Sequence, residues 1–563
     1  MWAATGLRTS REAIQLRYNH KQWATGSNTW KPAREASQRL DDSAPAGVKE
    51  RGTHRERHTR TWETHAGVRE RTTCASAQAR TSQQKAARGR HGSQTASYYS
   101  KTGKPFTRGR ERQGCAARKG NMRRTRKTVT TMQTSLRGIA DRARRDKTAR
   151  FGNLYALLNE ANLRECFQHL RKDAAPGVDK VTFGQYEANL DTNLAGLVGR
   201  LKKKTYRAKL VRRKHIPKAN GKLRPLGIPA LEDKLLQLAV ARILEAIHEP
   251  RFLECSWGYR PNRGAREASR VLANQLYRGR YGHVVEADIK GFFDNISHAW
   301  MLRMLEERIN DAALTRLVAK WLKAGIMEET GEVKHPVTGT PQGGIVSPVL
   351  ANIYLHYALD LWFEHIVKKQ CQGEAYMIRY ADDFVCAFRH KADAQRFERQ
   401  LPQRLGKFGL EAAPEKTRTL QFSRFVPEPN EAFEFLGFEF RWVKRRTGKM
   451  GVRRRTAPKK HLASVKAFSE WIRRNRHKRT KDLMKTLAAK LRGYWNYYGV
   501  RGNMESLRRF YERSRKLLFK WMNRRSQRRS YSWERFDEML RRYAIPTPCI
   551  KEEAYQRGLY DAA

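Results

Sequence analysis

Along this chain the spacing of apolar residues changes character several times, and each change marks an element. Residues 1–131 show no sustained apolar period and are rich in Arg, Thr, Ser, Gln, Ala and Gly. Such a stretch cannot bury enough surface to offset the entropy of ordering, so a disordered basic leader is expected there. Order is expected from about Phe151, where Leu154, Leu157 and Leu158 fall on one helical face. Residues 172–179 read as a turn. Between Ile216 and Pro229, Asn220-Gly221 separates two extended segments, a hairpin signal, and a leucine-rich helix follows from Leu231 to Ile247. His283–Ile289 reads as a strand ending near an acid, with Lys290–Asp294 turning out of it. Thr340–Gly344 is a loop leading into a helix from Pro348 to Phe363. Two short apolar runs, 375–378 and 384–388, read as buried strands of a hairpin bending at Tyr380-Ala381-Asp382-Asp383. A helix over 405–416, a strand over 433–438, and a basic helical region from Arg441 to about Tyr543 complete the pattern.

Charge sharpens this division. The 563 residues carry a net +60, unevenly spread. Residues 1–150 hold 35 basic and 11 acidic side chains, 151–440 hold 44 and 34, and 441–550 hold 34 and 7. Basic ends of this density repel themselves unless a polyanion neutralises them, which points to nucleic acid rather than a membrane surface. The seven cysteines never occur as C-x-x-C pairs, so neither a disulfide framework nor a zinc ribbon is indicated, and a reducing compartment fits. His54 and His58 have helical ligand spacing, but Glu56 is misplaced for a zinc protease. Gly344–Phe363, the most apolar stretch, contains Ser347, Pro348, Asn352, His356 and Asp360, which exclude a membrane span.

The candidate chemistry lies in the hairpin bend. Asp382 and Asp383 are adjacent like charges between apolar runs, and ionising both there is costly unless a cation is present. Hard carboxylate oxygens favour Mg²⁺. Asp288, 94 residues earlier, also ends a buried strand, and two strands of one sheet could bring all three acids together. Three convergent carboxylates suit two Mg²⁺ ions about 4 Å apart, one activating a 3′-hydroxyl and one steadying pyrophosphate.

The order of motifs narrows the reading further. Lys222 and Arg224 sit in the Gly-containing hairpin; Asp288 follows, then Phe293, Pro341-Gln342-Gly343, Tyr380-Ala381-Asp382-Asp383, Lys416 and Phe435-Leu436-Gly437-Phe438. Over residues 132–550 this series resembles the reverse transcriptases encoded by bacterial group II introns. The resemblance implies an α+β right-hand polymerase fold of fingers and palm, followed by an α-helical thumb or maturase domain. It implies Asp288, Asp382 and Asp383 as catalytic metal ligands for two Mg²⁺, with the Ile289 backbone carbonyl beside them. By the same resemblance Phe293 is an aromatic gate against a 2′-hydroxyl, and Lys222 and Arg224 neutralise the triphosphate. Gln342 lies beside the nascent pair, and Lys416 is a candidate proton donor to pyrophosphate. The 175–179 turn resembles an N-terminal extension, and Trp257-Gly258-Tyr259-Arg260-Pro261 a template-facing segment.

Leu491–Gly499, with the helical apolar positions after it, resembles a maturase domain gripping intron RNA. Arg473, Arg474, Arg476, Arg524, Arg525, Arg528 and Arg529 are placed to meet phosphates. The expected organisation is a leader over 1–131, N-terminal extension and fingers over 132–280, palm over 281–440, thumb over 441–550 and a tail over 551–563. Paired cysteines of an HNH endonuclease do not follow the thumb, so an endonuclease-lacking type is expected, with a dispensable leader. Implied partners are group II intron RNA, an RNA template with DNA primer, target DNA and dNTPs, in a bacterial cytoplasm near the nucleoid. The alternatives are a splicing-only RNA-binding maturase and a reverse transcriptase of retron or diversity-generating type.

Overall fold

A computed structural model describes residues 132–217, 223–426, 431–525 and 530–552. The leader and the tail beyond Glu552, with Lys222, Arg528 and Arg529, lie outside the described residues. Eleven strands are present in this part: β1 Val211–Pro217, β2 Leu223–Ile228, β3 His283–Asp288, β4 Ile326–Met327, β5 Val333–Lys334, β6 Ala375–Tyr380, β7 Asp383–Phe388, β8 Arg418–Gln421, β9 Phe433–Phe435, β10 Phe438–Lys444 and β11 Met450–Thr456. They form three sheets, ordered β6-β7-β3-β8, β2-β1-β4-β5 and β11-β10-β9. With the surrounding helices they make a mixed α and β protein.

The first sheet is apolar on both sides. Along β7, Phe384, Cys386 and Phe388 face the large core shared with the N-terminal helices. Val385 and Ala387 face a second core, built mainly of aromatics from β9 and β10 and of helix Ala265–Arg278. Because side chains alternate across a strand, a sheet covered on both faces reads as an unbroken apolar run, which is why 384–388 shows no alternation. Helix Ser347–Leu355 is buried on every side and continues through two π-helical turns, His356–Asp360 and Phe363–Val367. No described helix is long and apolar enough to cross a membrane.

Four expectations are corrected. Order begins before Phe151, with helix Met132–Arg145. The helix expected over 405–416 lies at Lys391–Gly406, and only a 3₁₀ turn, Pro414–Lys416, falls in the expected range. Gly409 at φ 69° and Pro414 interrupt helical continuation there. The expected single strand over 433–438 is instead a hairpin, β9 and β10, turning at Leu436 and Gly437, both left-handed. Beyond Arg441 the chain first completes β10 and β11, pairing Phe438–Lys444 with Met450–Thr456, and turns helical only at Pro458. Helices Pro458–Asn475, Thr480–Tyr498, Met504–Met522 and Trp533–Arg542 then pack around their own core, which includes Trp495, Phe510 and Phe536.

Candidate polymerase centre

Three acidic residues meet at one end of the first sheet. β3 and β7 run antiparallel with Asp288 directly opposite Asp383, and β6 pairs with β7 up to Tyr380 opposite Asp383. Ala381 and Asp382 therefore form a two-residue loop, and Ala381 adopts φ 60°, as primed hairpin turns require of their first residue. Opposed like charges on adjacent strands destabilise a sheet, so this juxtaposition serves something other than folding. Burial, then Asp288 and Asp382, push the Asp383 carboxyl up to about 7. Burial is also the main cause raising Asp382, with Asp288 adding to it and Arg224 opposing.

The acids do not form a closed cage. Among the described residues no three acid, His or Cys side chains are gathered tightly enough to hold an ion. Instead the Lys416 ammonium pairs with Asp288 Oδ2, where a cation bound to that carboxylate would sit. Lys416 is 59% exposed on a flexible stem, so a divalent ion can displace it without moving the sheet. Ile289 follows Asp288 with its side chain buried and is bridged antiparallel to Ala412. The donor set, an excess of carboxylates with one mobile ammonium, fits hard divalent cations.

Around the acids stand several other predicted residues. Phe293 is half-buried in a 3₁₀ turn, edge-on to Phe292 with ring centroids 5.3 Å apart, and its carbonyl accepts from Thr340 N at 2.8 Å. The Gln342 carbonyl accepts from Gly227 N at 2.6 Å, fastening the Pro341–Gly344 loop to β2. A Cβ on Gly343, at φ 118°, would stand 2.6 Å from Gly227 O, so that close approach needs glycine. Arg224 is exposed on β2 and close enough to Asp382 to favour its charge. Arg260, expected to contact a strand, is instead buried: it pairs with Glu249 at 2.9 Å and donates to the carbonyls of Leu253 and Ser256.

A polar network beneath the turn is not evident from the sequence. Arg379, fully buried on β6, pairs with the fully buried Asp360 through two hydrogen bonds of 2.7 and 2.6 Å. It also donates to Ser256 Oγ at 2.8 Å, Asn352 Oδ1 at 3.3 Å and the Ala381 carbonyl at 2.9 Å. Asn352 Nδ2 in turn donates to Gly258 O at 2.7 Å. A Cβ on Gly258 would lie 2.4 Å from Ala381 N, so the backbone abuts the acidic turn directly. The sequence signal for it is a lone arginine inside an apolar strand, together with the same Asn352 and Asp360 that argue against a membrane span.

The predicted RNA-contacting arginines divide. Arg473, Arg474 and Arg524 are exposed, and Arg476 and Arg524 lie 5.3 and 5.8 Å from the Trp521 ring centroid. Arg525 is engaged internally, donating to Thr480 Oγ1 at 2.9 Å and to the Lys478 carbonyl.

Comparison with known proteins identifies relatives of this chain. The family model described as reverse transcriptase (RNA-dependent DNA polymerase) matches residues 216–440. The group II intron-encoded protein LtrA of Lactococcus lactis subsp. cremoris is 32% identical over 397 residues, covering 56% of this chain and 64% of that protein. Protein YkfC of Escherichia coli K12 is 34% identical over 310 residues, covering 49% of this chain and 78% of its own. Nuclear intron maturase 4, mitochondrial, of Arabidopsis thaliana is 28% identical over 133 residues, 23% of this chain and 16% of that one. This chain thus spans less than two thirds of the Lactococcus protein. On the ordered motifs, the carboxylate geometry and these similarities together, the chain belongs to the group II intron reverse transcriptase/maturase family.

Proposed function

We propose that this protein is an RNA-directed DNA polymerase that also binds its group II intron RNA to promote splicing and mobility. The observation that carries the polymerase reading is Asp288 opposite Asp383 at the end of β3 and β7, with Asp382 in the turn. When bound, two Mg²⁺ ions would activate the primer 3′-hydroxyl and stabilise the charge that develops on the leaving pyrophosphate. Asp288, Asp382 and Asp383 would hold them, with the Ile289 carbonyl as a further oxygen donor. Arg224, and Lys222 beyond the described residues, would bind the triphosphate. Phe293, backed by Phe292, would lie under the sugar and refuse a 2′-hydroxyl by contact. Lys416 would release Asp288 on substrate binding and become free to protonate pyrophosphate. In this reading residues 132–280 supply the N-terminal extension and fingers, 281–440 the palm and 441–550 the thumb. Extension of a DNA primer on an RNA template by the purified chain tests it; failure under saturating dNTPs and Mg²⁺ removes the polymerase and leaves an RNA-binding maturase.

The RNA-binding part rests on exposed cations of the C-terminal helical region, Arg473, Arg474 and Arg524, which counter-ion release makes testable. Replacing Arg473, Arg474 and Arg524 with alanine should weaken intron RNA binding. It should also flatten the salt dependence by up to about 0.7 for each single-strand phosphate no longer neutralised. Arg525→Ala should instead lower thermal stability and leave the slope unchanged, because its guanidinium joins two helix ends. Filter binding across a KCl series measures both; an unchanged slope in the triple variant would assign those arginines to a solvated face.

A further inference from the structure

The loop after Trp257 holds two non-glycine residues in the left-handed region, Tyr259 and Asn262, each at φ 59°. Asparagine tolerates that conformation, whereas a bulky tyrosine is strained in it and keeps it only where the surroundings enforce it. Here they do so on both sides. Trp257 N donates to the Arg379 carbonyl at 2.8 Å, the Gly258 carbonyl is held by Asn352, and Gly258 lies directly against Ala381. On the other side Arg260 is anchored on Glu249 and two carbonyls. The backbone is clamped while the Tyr259 side chain, 50% exposed, stands free of the core.

Because Gly258 abuts Ala381, Tyr259 runs beside Asp382. Asp382, Tyr380 and Arg224 are the charged or titratable groups that act on its phenol, which has no hydrogen-bond partner among the described residues. A phenol keeps its proton at neutral pH and so acts as a donor. The space between an exposed arginine and a cation-binding carboxylate is where a polyphosphate sits, since its oxygens face both. We propose that Tyr259 is a nucleotide-contacting residue, whose phenol donates a hydrogen bond to the incoming nucleotide held between Arg224 and Asp382. The strained backbone is what aims it there. This inference rests on the polymerase reading.

The test uses the full chain extending a DNA primer on an RNA template with dNTP concentration varied. Tyr259→Phe should raise the KM for dNTP about three- to tenfold, the range of one neutral hydrogen bond, with kcat within about twofold. Tyr259→Gly removes the left-handed strain as well as the side chain. It should melt no lower than the wild type and still show a KM raised at least as far. An unchanged KM in Tyr259→Phe overturns the proposal. So does a weaker Kd for primer–template with the nucleotide KM unmoved, which would make Tyr259 a strand-binding residue. A Tyr259→Gly protein that loses stability and activity in parallel assigns the residue a structural role. A wild-type chain that extends no primer removes the polymerase reading, and this assignment with it.

Discussion

Asp382→Ala should abolish cDNA synthesis while leaving a folded protein that still binds intron RNA. In the proposed reaction each carboxylate at the end of β3 and β7 would help hold the cations, and metal-ion charge stabilisation contributes several kcal/mol. Losing about 4 kcal/mol of it lowers the rate about 10³-fold, below detection in ordinary primer extension. Folding should not suffer. Asp382 sits in a two-residue turn, and its charge is opposed by burial and by Asp288, so its removal relieves repulsion. In metal-free buffer the variant should melt at or above the wild-type temperature. RNA affinity, which the proposed function assigns to side chains of the C-terminal helical region, should stay within about twofold. Primer extension, thermal melting and filter binding on one preparation decide the matter. Loss of RNA binding in a folded variant would mean that the two activities share residues and cannot be separated as proposed.

Much of this centre is legible in the sequence because its chemistry is local. Asp382 and Asp383 are neighbours in sequence, and Asp288 closes a strand whose apolar run announces it. Asn220-Gly221 likewise announces a hairpin, and β1 and β2 pair antiparallel on either side of it. What stays hidden depends on partners far apart in the chain. Arg379 and Asp360 are separated by 19 residues, with Asn352 and Ser256 on further elements, and no spacing rule joins them. The helix expected over 405–416 is displaced for a different reason. Its actual span, Lys391–Gly406, is diluted by charged residues, while Leu405, Phe408 and Leu410 are buried at its end and in the turns beyond. In β11 the run Arg453-Arg454-Arg455 suggests an exposed basic helix, yet Arg454 is buried against Glu552 at 2.8 Å and Ser269 at 3.0 Å. Among the arginines near Trp521, sequence does not tell the exposed Arg524 from its engaged neighbour Arg525.

The second large effect is expected at that hidden pair. Asp360→Ala leaves the Arg379 guanidinium fully buried without its counter-charge, and breaking a buried pair in this way costs about 3–5 kcal/mol. Against a total stability of roughly 5–15 kcal/mol, the protein should become markedly easier to denature or fail to accumulate. Stability alone does not separate a structural pair from one that also serves the site. The double variant Arg379→Met with Asp360→Leu does, because replacing both charges by apolar side chains of similar size is often neutral for folding. It should therefore regain most of the resistance to urea lost in Asp360→Ala, short of wild type because Ser256 Oγ, Asn352 Oδ1 and the Ala381 carbonyl lose their donor. It will nevertheless lack the donor that holds the Ala381 carbonyl, and with it the tether on the turn that carries Asp382. Displacement of reacting groups by about 1 Å can cost about 10²-fold, so primer extension should fall by about ten- to a hundredfold in a protein that unfolds normally. Wild-type rate together with wild-type stability in the double variant would reduce Arg379 and Asp360 to a packing device. A rate defect in a double variant that still folds cooperatively makes them the residues that place the turn carrying Asp382.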